Sequence, residues 1–233
     1  MKILGISGSP RKDDTSGVFT LVKTVLENTG IDYELISLRK KTISGCIACL
    51  GCVKDNVCKV DDDLKPLRDA IVEADAYVFG APNYYSTMNA ESHALLERFF
   101  QFRHQAGDLL WGKLAVAVGV GGTSGSFPAD EIEKMFLYNF IETVEKVSGQ
   151  GAASCYCCGH GETCKVGIPS MIHGEGLKIT PDMIPDVKKQ PDVMAAAVEA
   201  GKTLGARLKE GHDRMQVTQA MQEKMMAMFE GSV

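Results

Sequence analysis

Four cysteines in the run GCIACLGCVKDNVC, Cys46, Cys49, Cys52 and Cys58, have residue types and spacing that do chemistry. Their pattern, C-x2-C-x2-C-x5-C, reads as an iron–sulfur site: one loop curls around a cluster and aims three sulfurs at it, and a fourth ligand arrives a few residues later. Zinc is the competing reading, because four thiolates also satisfy a tetrahedral ion, although zinc sites usually hold two C-x2-C knuckles well apart in sequence. A second set follows in SCYCCGHGETC, where Cys155, Cys158 and Cys164 repeat the C-x2-C-x5-C tail of the first. That set reads as a second metal or iron–sulfur site completed by His160 or His173, as a redox dithiol, or as inert thiols. Adjacent Cys157 and Cys158 point different ways and would not share one metal without strain.

Eight cysteines in 233 residues need a compartment. The chain carries no charged-then-apolar leader and no run of bilayer length, so the expectation is a cytoplasmic protein whose thiols are reduced and serve metal, cluster or redox roles. A net charge of −5 and a pI near 5.6 argue against nucleic-acid or anionic-membrane surfaces, which need a basic stripe. Small ligands and protein partners remain.

Strands and helices alternate along the chain. MKILGIS is a strand, VFTLVKTVLEN a helix, YELISL a strand, and DDLKPLRDAIVEA a helix with acidic residues in its first turn. DAYVFGAP, ESHALLERFFQF, KLAVAVGVGG and EIEKMFLYNFIETVEKV continue the pattern as strand, helix, strand and helix, with Gly151–Ser154 as a short fifth strand. VMAAAVEAGKTLGARL is a closing helix. The order predicts an α/β fold with a doubly wound parallel sheet and ligands at the C-terminal strand ends. In the last segment Val217, Met221, Met225 and Met228 share one helical face, which suits either a partner subunit or the chain's own domain.

Three loops stand at those strand ends. Ser7-Gly8-Ser9-Pro10-Arg11, continuing to Thr15 and Ser16, offers hydroxyls and backbone donors before a helix and suits a phosphate, although G-x-G-x-x-G is missing; a Ser/Thr cap with a turn would look the same. Asn83, Tyr84, Tyr85, Ser86, Thr87 and Met88 could edge a flat heteroaromatic ring, and Gly119, Gly121, Gly122 and Thr123 would let backbone approach it. Their coincidence carries the argument. His93 and His104 read as ordinary polar residues of a helix, and Trp111 as packing.

Through GISGSPR, APNYYSTM and GVGGTSG the chain resembles the flavodoxin-like NADPH-dependent FMN reductase superfamily, and with the compact cysteine motif it is most similar to the iron–sulfur flavoprotein family. The likeness covers roughly residues 1–150. It implies a five-stranded parallel sheet in the order 2-1-3-4-5. The expected domain spans 1–210 with cysteine-rich loops at 43–61 and 153–176, and the C-terminal helical extension at 211–233 is expected as an oligomer contact. In that order the loops after strands two and five lie about 19 Å apart, so the two cysteine sets stay separate within one subunit. It also implies that Ser7, Ser9, Pro10, Arg11, Thr15 and Ser16 hold the FMN phosphate region, and that Pro82, Asn83, Tyr84, Tyr85, Ser86 and Met88 surround the isoalloxazine with Gly121, Gly122 and Thr123. A 4Fe-4S cluster on Cys46, Cys49, Cys52 and Cys58 would exchange electrons with FMN across the interface of a homodimer or homotetramer. Ferredoxin or NAD(P)H would be the donor, a small molecule or protein the acceptor, and no dedicated general base is expected. Asp13 and Asp14 depart from the family's phosphate loop and are expected to face solvent. The competing functions are an NAD(P)H-dependent FMN or quinone reductase with structural zinc, and a non-enzymatic redox-sensing module.

Overall fold

The computed structural model describes residues 1–105, 107–174 and 176–230; position 175, inside the expected second cysteine loop, and positions 231–233, in the expected helical extension, lie outside the described residues. Its centre is a sheet of strands β1 (Lys2–Ser7), β2 (Asp32–Ser37), β3 (Ala76–Tyr84), β4 (Thr87–Met88), β5 (Leu114–Gly121) and β6 (Glu142–Gln150). Five are parallel in the order β2-β1-β3-β5-β6, and two-residue β4 folds back antiparallel on β3. The order expected from the resemblance therefore holds for the parallel strands, and the extra hairpin only shifts the numbering.

Alternation along the central strands sorts the core into two faces. On β5, Val116, Val118 and Val120 face one core with α1 (Gly17–Glu27), α6 (Pro191–Lys209) and α7 (Arg214–Glu230). Ala115 and Ala117 face the other, with α2 (Arg68–Glu73), α3 (Ala90–Glu97) and α4 (Ser126–Leu137). Small residues on this second face leave room for rings: Tyr77 and Phe79 lie 5.9 and 6.1 Å from Phe136.

The run from Glu131 to Val147, whose apolar spacing predicts one helix, divides in two. Helix α4 stops at Leu137, the chain reverses with Phe140 at φ 51°, and β6 begins where the Glu142 amide donates to Lys113 O at 2.9 Å. Edge position explains the misreading, because β6 is paired on one side only and alternates buried Val147 with exposed polar residues. The fifth strand is thus Glu142–Gln150, and Gly151–Ser154 is the segment leaving it. ESHALLERFFQF also divides, into α3 and a 3-10 turn from Arg98 to Arg103.

The methionine face of α7 packs onto its own domain. Val217 and Met221 are buried, and Met225 and Met228 lie against the same core. Burying a Val or Met side chain contributes roughly 1.5–3 kcal/mol. Trp111 packs edge-on to Phe140 at 4.9 Å. Arg214 anchors the start of α7 by donating to the carbonyls of Trp111, Asp108 and Leu109 at 2.8–3.2 Å. No helix among the described residues is long and apolar enough to cross a membrane.

Candidate functional site

The C-terminal ends of β1, β3, β5 and β6 open into a cleft of about 990 Å³, at the upper end of small-molecule sites. Ser9, Pro10, Arg11 and Thr15 line it from the first loop, Pro82, Asn83, Tyr84, Tyr85 and Ser86 from the second, and Gly121, Gly122 and Thr123 from the third. The three loops singled out in the sequence therefore meet. Gly17 and Val18, in the first turn of α1, also line the cleft, so the positive end of the helix faces it, which suits an anion.

Three expected residues stand behind the lining. Ser16 is the buried cap of α1, its Oγ accepting from Phe19 N at 3.1 Å. Met88 is buried on β4. Ser7 Oγ is buried at the end of β1 without a hydrogen-bond partner among the described residues. Asp13 and Asp14 are both exposed, yet Asp14 also lines the mouth of the cleft.

The second loop is a tight hairpin. Tyr85 and Ser86 both take left-handed conformations, φ 55° and 64°, as a two-residue turn between twisted strands requires, and Ser86 N donates to Asn83 Oδ1 at 2.9 Å. Tyr85 is left fully exposed at the tip. Asn83 Nδ2 reaches across to Ser124 O at 2.7 Å, tying the second loop to the third. There Gly121 is obligatory, because a Cβ on it would stand 2.0 Å from Ser124 O.

Sequence reasoning missed the far wall. Ala152, Ala153, Cys155, Val166, Ile168, Ile184 and Pro185 line the cleft from chain beyond β6, and Arg11 Nη2 binds that segment through Ala152 O at 2.7 Å. The stretch has no periodicity to announce it, only its length and its glycines and prolines.

The first cysteine loop rests on α3 and the turn after it. Glu97 Oε2 accepts from Cys46 N and Gln101 Oε1 from Cys58 N, each at 3.0 Å. Ala48 and Leu50, between successive cysteines, have φ 52° and 56°, so the backbone curls at each C-x2-C step. Burial pushes the Cys52 thiol up, and the nearby thiols of Cys58, Cys46 and Cys49 add to the effect. Among the described residues no three His, Cys, Asp or Glu side chains are gathered closely enough to hold a single metal ion.

Beneath the loop, the almost fully buried Arg98 donates from Nε to Cys58 Sγ at 3.2 Å and from Nη1 to Asp62 Oδ2 at 2.8 Å and Ser44 O at 3.0 Å. Burial alone would raise the Asp62 carboxyl, but Arg98 and the amides of Ser44 and Leu64 outweigh it and hold it below the usual carboxylate range. The available signal was a charge at position 98, a helical turn from Leu95 and Phe102 on an otherwise apolar face.

The second cysteines are divided. Cys155 is partly buried on the cleft wall, Cys157 and Cys158 are exposed, and Cys164 is partly buried. His160 N donates to Cys158 Sγ at 3.4 Å. His173 ends α5 (Ile168–His173). Of the remaining histidines, His93 lies 3.3 Å from Glu97 and Glu131, and His104 packs edge-on to Phe100.

A family model described as NADPH-dependent FMN reductase matches residues 1–155, which include all six strands and the Cys46–Cys58 loop. An iron–sulfur flavoprotein of Methanocaldococcus jannaschii is 33% identical over 152 residues, 62% of this chain and 76% of that one. Another from Archaeoglobus fulgidus is 30% identical over 147 residues, 63% and 75% of the two chains. Among solved structures, a flavone reductase superposes with a TM-score of 0.56 at 17% identity, over 91% of this chain and 65% of that one. The Trp repressor binding protein of Bacillus subtilis gives 0.56 at 19% identity, over 85% and 98%. At such identities these two structures carry the fold alone. On the strength of the family match and the curated relatives, the chain belongs to the NADPH-dependent FMN reductase superfamily and, within it, to the iron–sulfur flavoproteins, as a flavin-dependent oxidoreductase.

Proposed function

We propose that the cleft binds FMN, that Cys46, Cys49, Cys52 and Cys58 hold a 4Fe-4S cluster, and that the protein passes electrons between a donor such as ferredoxin or NAD(P)H and a small-molecule or protein acceptor. The residues present suit both groups. The cleft offers Ser9, Thr15 and the N-terminal turn of α1 to a phosphate and Asn83, Tyr84 and the Gly121–Gly122 backbone to a ring. The cysteine loop offers four thiols on a curled backbone, close enough for three of them to perturb the fourth. FMN would supply exchange between two-electron and one-electron chemistry, and the cluster one-electron transfer.

The chain's own part is to bind, orient and set charge. Arg11 brings a cation to the phosphate loop while holding the far wall through Ala152. Arg98, fixed by Asp62, places a buried positive charge and an N–H on the Cys58 sulfur, which stabilises the more negative state of whatever that sulfur ligates. No residue is assigned as a general base. Residues 43–61 are absent from the cleft lining among the described residues, which supports electron passage across a subunit interface in a homodimer or homotetramer.

The observation that carries this reading is the meeting of three loops and a helix N-terminus at one cleft, in a chain that also bears the compact cysteine loop. The test is iron, zinc, acid-labile sulfide and flavin content of protein purified without oxygen. About four iron and four sulfide with about one FMN per chain is the expected result, and about eight of each would add Cys155, Cys158 and Cys164 as a second cluster site. FMN with zinc and no sulfide would exclude the electron relay.

A further inference from the structure

We propose that Cys155 and Cys158 are a dithiol/disulfide pair in the wall of the cleft, passing an electron pair from reduced flavin to an external disulfide; this rests on the flavin reading above. Cys155 is the last residue of the segment matched to the family, and Cys157, Cys158 and Cys164 follow it.

The placement of Cys155 is constrained from several sides. Gly151 N donates to Gly121 O at 2.8 Å, Gln150 Nε2 to Gly122 O at 2.9 Å, and Arg11 Nη2 to Ala152 O at 2.7 Å. A Cβ on Gly122 would come within 2.8 Å of Ala153 Cβ. The segment leading to Cys155 is thereby laid against the glycine loop and the phosphate loop, and Cys155 itself lines the cleft.

Beyond it a 3-10 turn, Ser154–Tyr156, is anchored by buried Tyr156, and the chain doubles back so that Cys158 Sγ lies 3.5 Å from Cys155 O. The neighbouring Cys157 Sγ is directed to Ala153 O instead. The C-x2-C spacing is that of reversible dithiols, and the exposures divide the work. Cys158 is open to solvent and Cys155 faces the cleft. A metal site would need Cys164 or His160 drawn in beside the pair, whereas the dithiol needs only these two residues.

The exposed Cys158 thiolate attacks an external disulfide; the substrate S–S bond breaks, a mixed disulfide forms, and the first substrate thiolate leaves and takes a proton from solvent. The Cys155 thiolate then attacks the Cys158 sulfur and expels the second substrate thiolate, closing the Cys155–Cys158 disulfide. The closed Cys155–Cys158 disulfide would then take two electrons from a reduced flavin held in the cleft and two protons from solvent, reopening to two thiols. One substrate disulfide has become two thiols and one reduced flavin has been oxidised.

The test uses full-length protein purified without oxygen, with its FMN content measured first. The loaded protein is equilibrated in dithiothreitol redox buffers, alkylated and mapped by mass spectrometry; separately its flavin is photoreduced and its reoxidation by hydroxyethyl disulfide is followed anaerobically. A Cys155–Cys158 disulfide forming in one two-electron transition is expected. Reoxidation should slow by about ten-fold or more in both Cys155→Ser and Cys158→Ser, since each removes one partner of the exchange, and should be unchanged in Cys157→Ser. Pairing with Cys157 or Cys164, zinc retained by these thiols, or reoxidation indifferent to both substitutions in FMN-loaded protein would overturn the pair and leave the flavin reading standing. Failure to bind FMN would overturn the flavin reading and the electron route with it.

Discussion

Arg98 donates its Nε–H to Cys58 Sγ across 3.2 Å from a side chain that is almost wholly buried, and Asp62 is its ion-pair partner at 2.8 Å. A buried pair that loses one member leaves an uncompensated charge, which typically costs about 3–5 kcal/mol. Arg98→Met should therefore destabilise the protein by about that much in urea unfolding, and adding Asp62→Asn should return part of the loss. In protein shown to hold the proposed cluster, Arg98→Lys should lower its midpoint potential, because a donor to a sulfur that ligates a cluster favours the reduced state. Simple additivity of the first two substitutions would show that the pair is not coupled.

Gly121→Ala tests the junction of the second and third loops. Its Cβ would stand 2.0 Å from Ser124 O, a backbone atom held also by Asn83, so the loop must move. Overpacking of this kind costs roughly 1–3 kcal/mol. The expected outcome is a loss of that size in stability and weaker quenching of flavin fluorescence on titration with FMN.

Arg11→Ala should weaken FMN binding by about ten-fold, within the range of one hydrogen bond to a charged group, while the thermal midpoint changes little. Its link to Ala152 also predicts faster proteolytic cleavage after β6 in the variant. Unchanged FMN affinity in the same titration would remove Arg11 from the site.

Lys113 carries the pH dependence. Burial, aided by Arg214, pulls its ammonium down to about 7, although Nζ still donates to Val72 O at 2.6 Å. Between pH 7 and the ordinary lysine range the unfolded chain holds a proton that the folded chain has released, so stability rises with pH there, and the burial penalty is fully present below about pH 7. Urea unfolding at several pH values should show wild type gaining on Lys113→Met from pH 7 to 10, by at most about 1.4 kcal/mol per pH unit. Parallel curves for the two proteins would place the ordinary lysine pKa in the fold.

Much of this architecture was written locally. Continuous apolar runs at Ile3–Ile6, Tyr77–Ala81 and Leu114–Val120 mark the central strands because each is buried on both faces, and the loops at their ends carry the hydroxyl, aromatic and glycine residues that the cleft assembles. The Cys46–Cys58 spacing is legible in the sequence because a single loop carries all four cysteines.

What only the tertiary structure decided depends on partners distant in sequence. Strand β6 is a strand because β5 offers it an edge; in isolation Glu142–Val147 continues a helical pattern. Arg98 reads as one more helix residue until Asp62, Ser44 and Cys58 close around it. Cys155 reads as part of a cysteine repeat until Arg11 and the Gly121–Gly122 loop hold its segment against the cleft. Periodicity records which face of an element is buried, but not what buries it, and these residues take their roles from contacts that close only when the whole sheet is assembled.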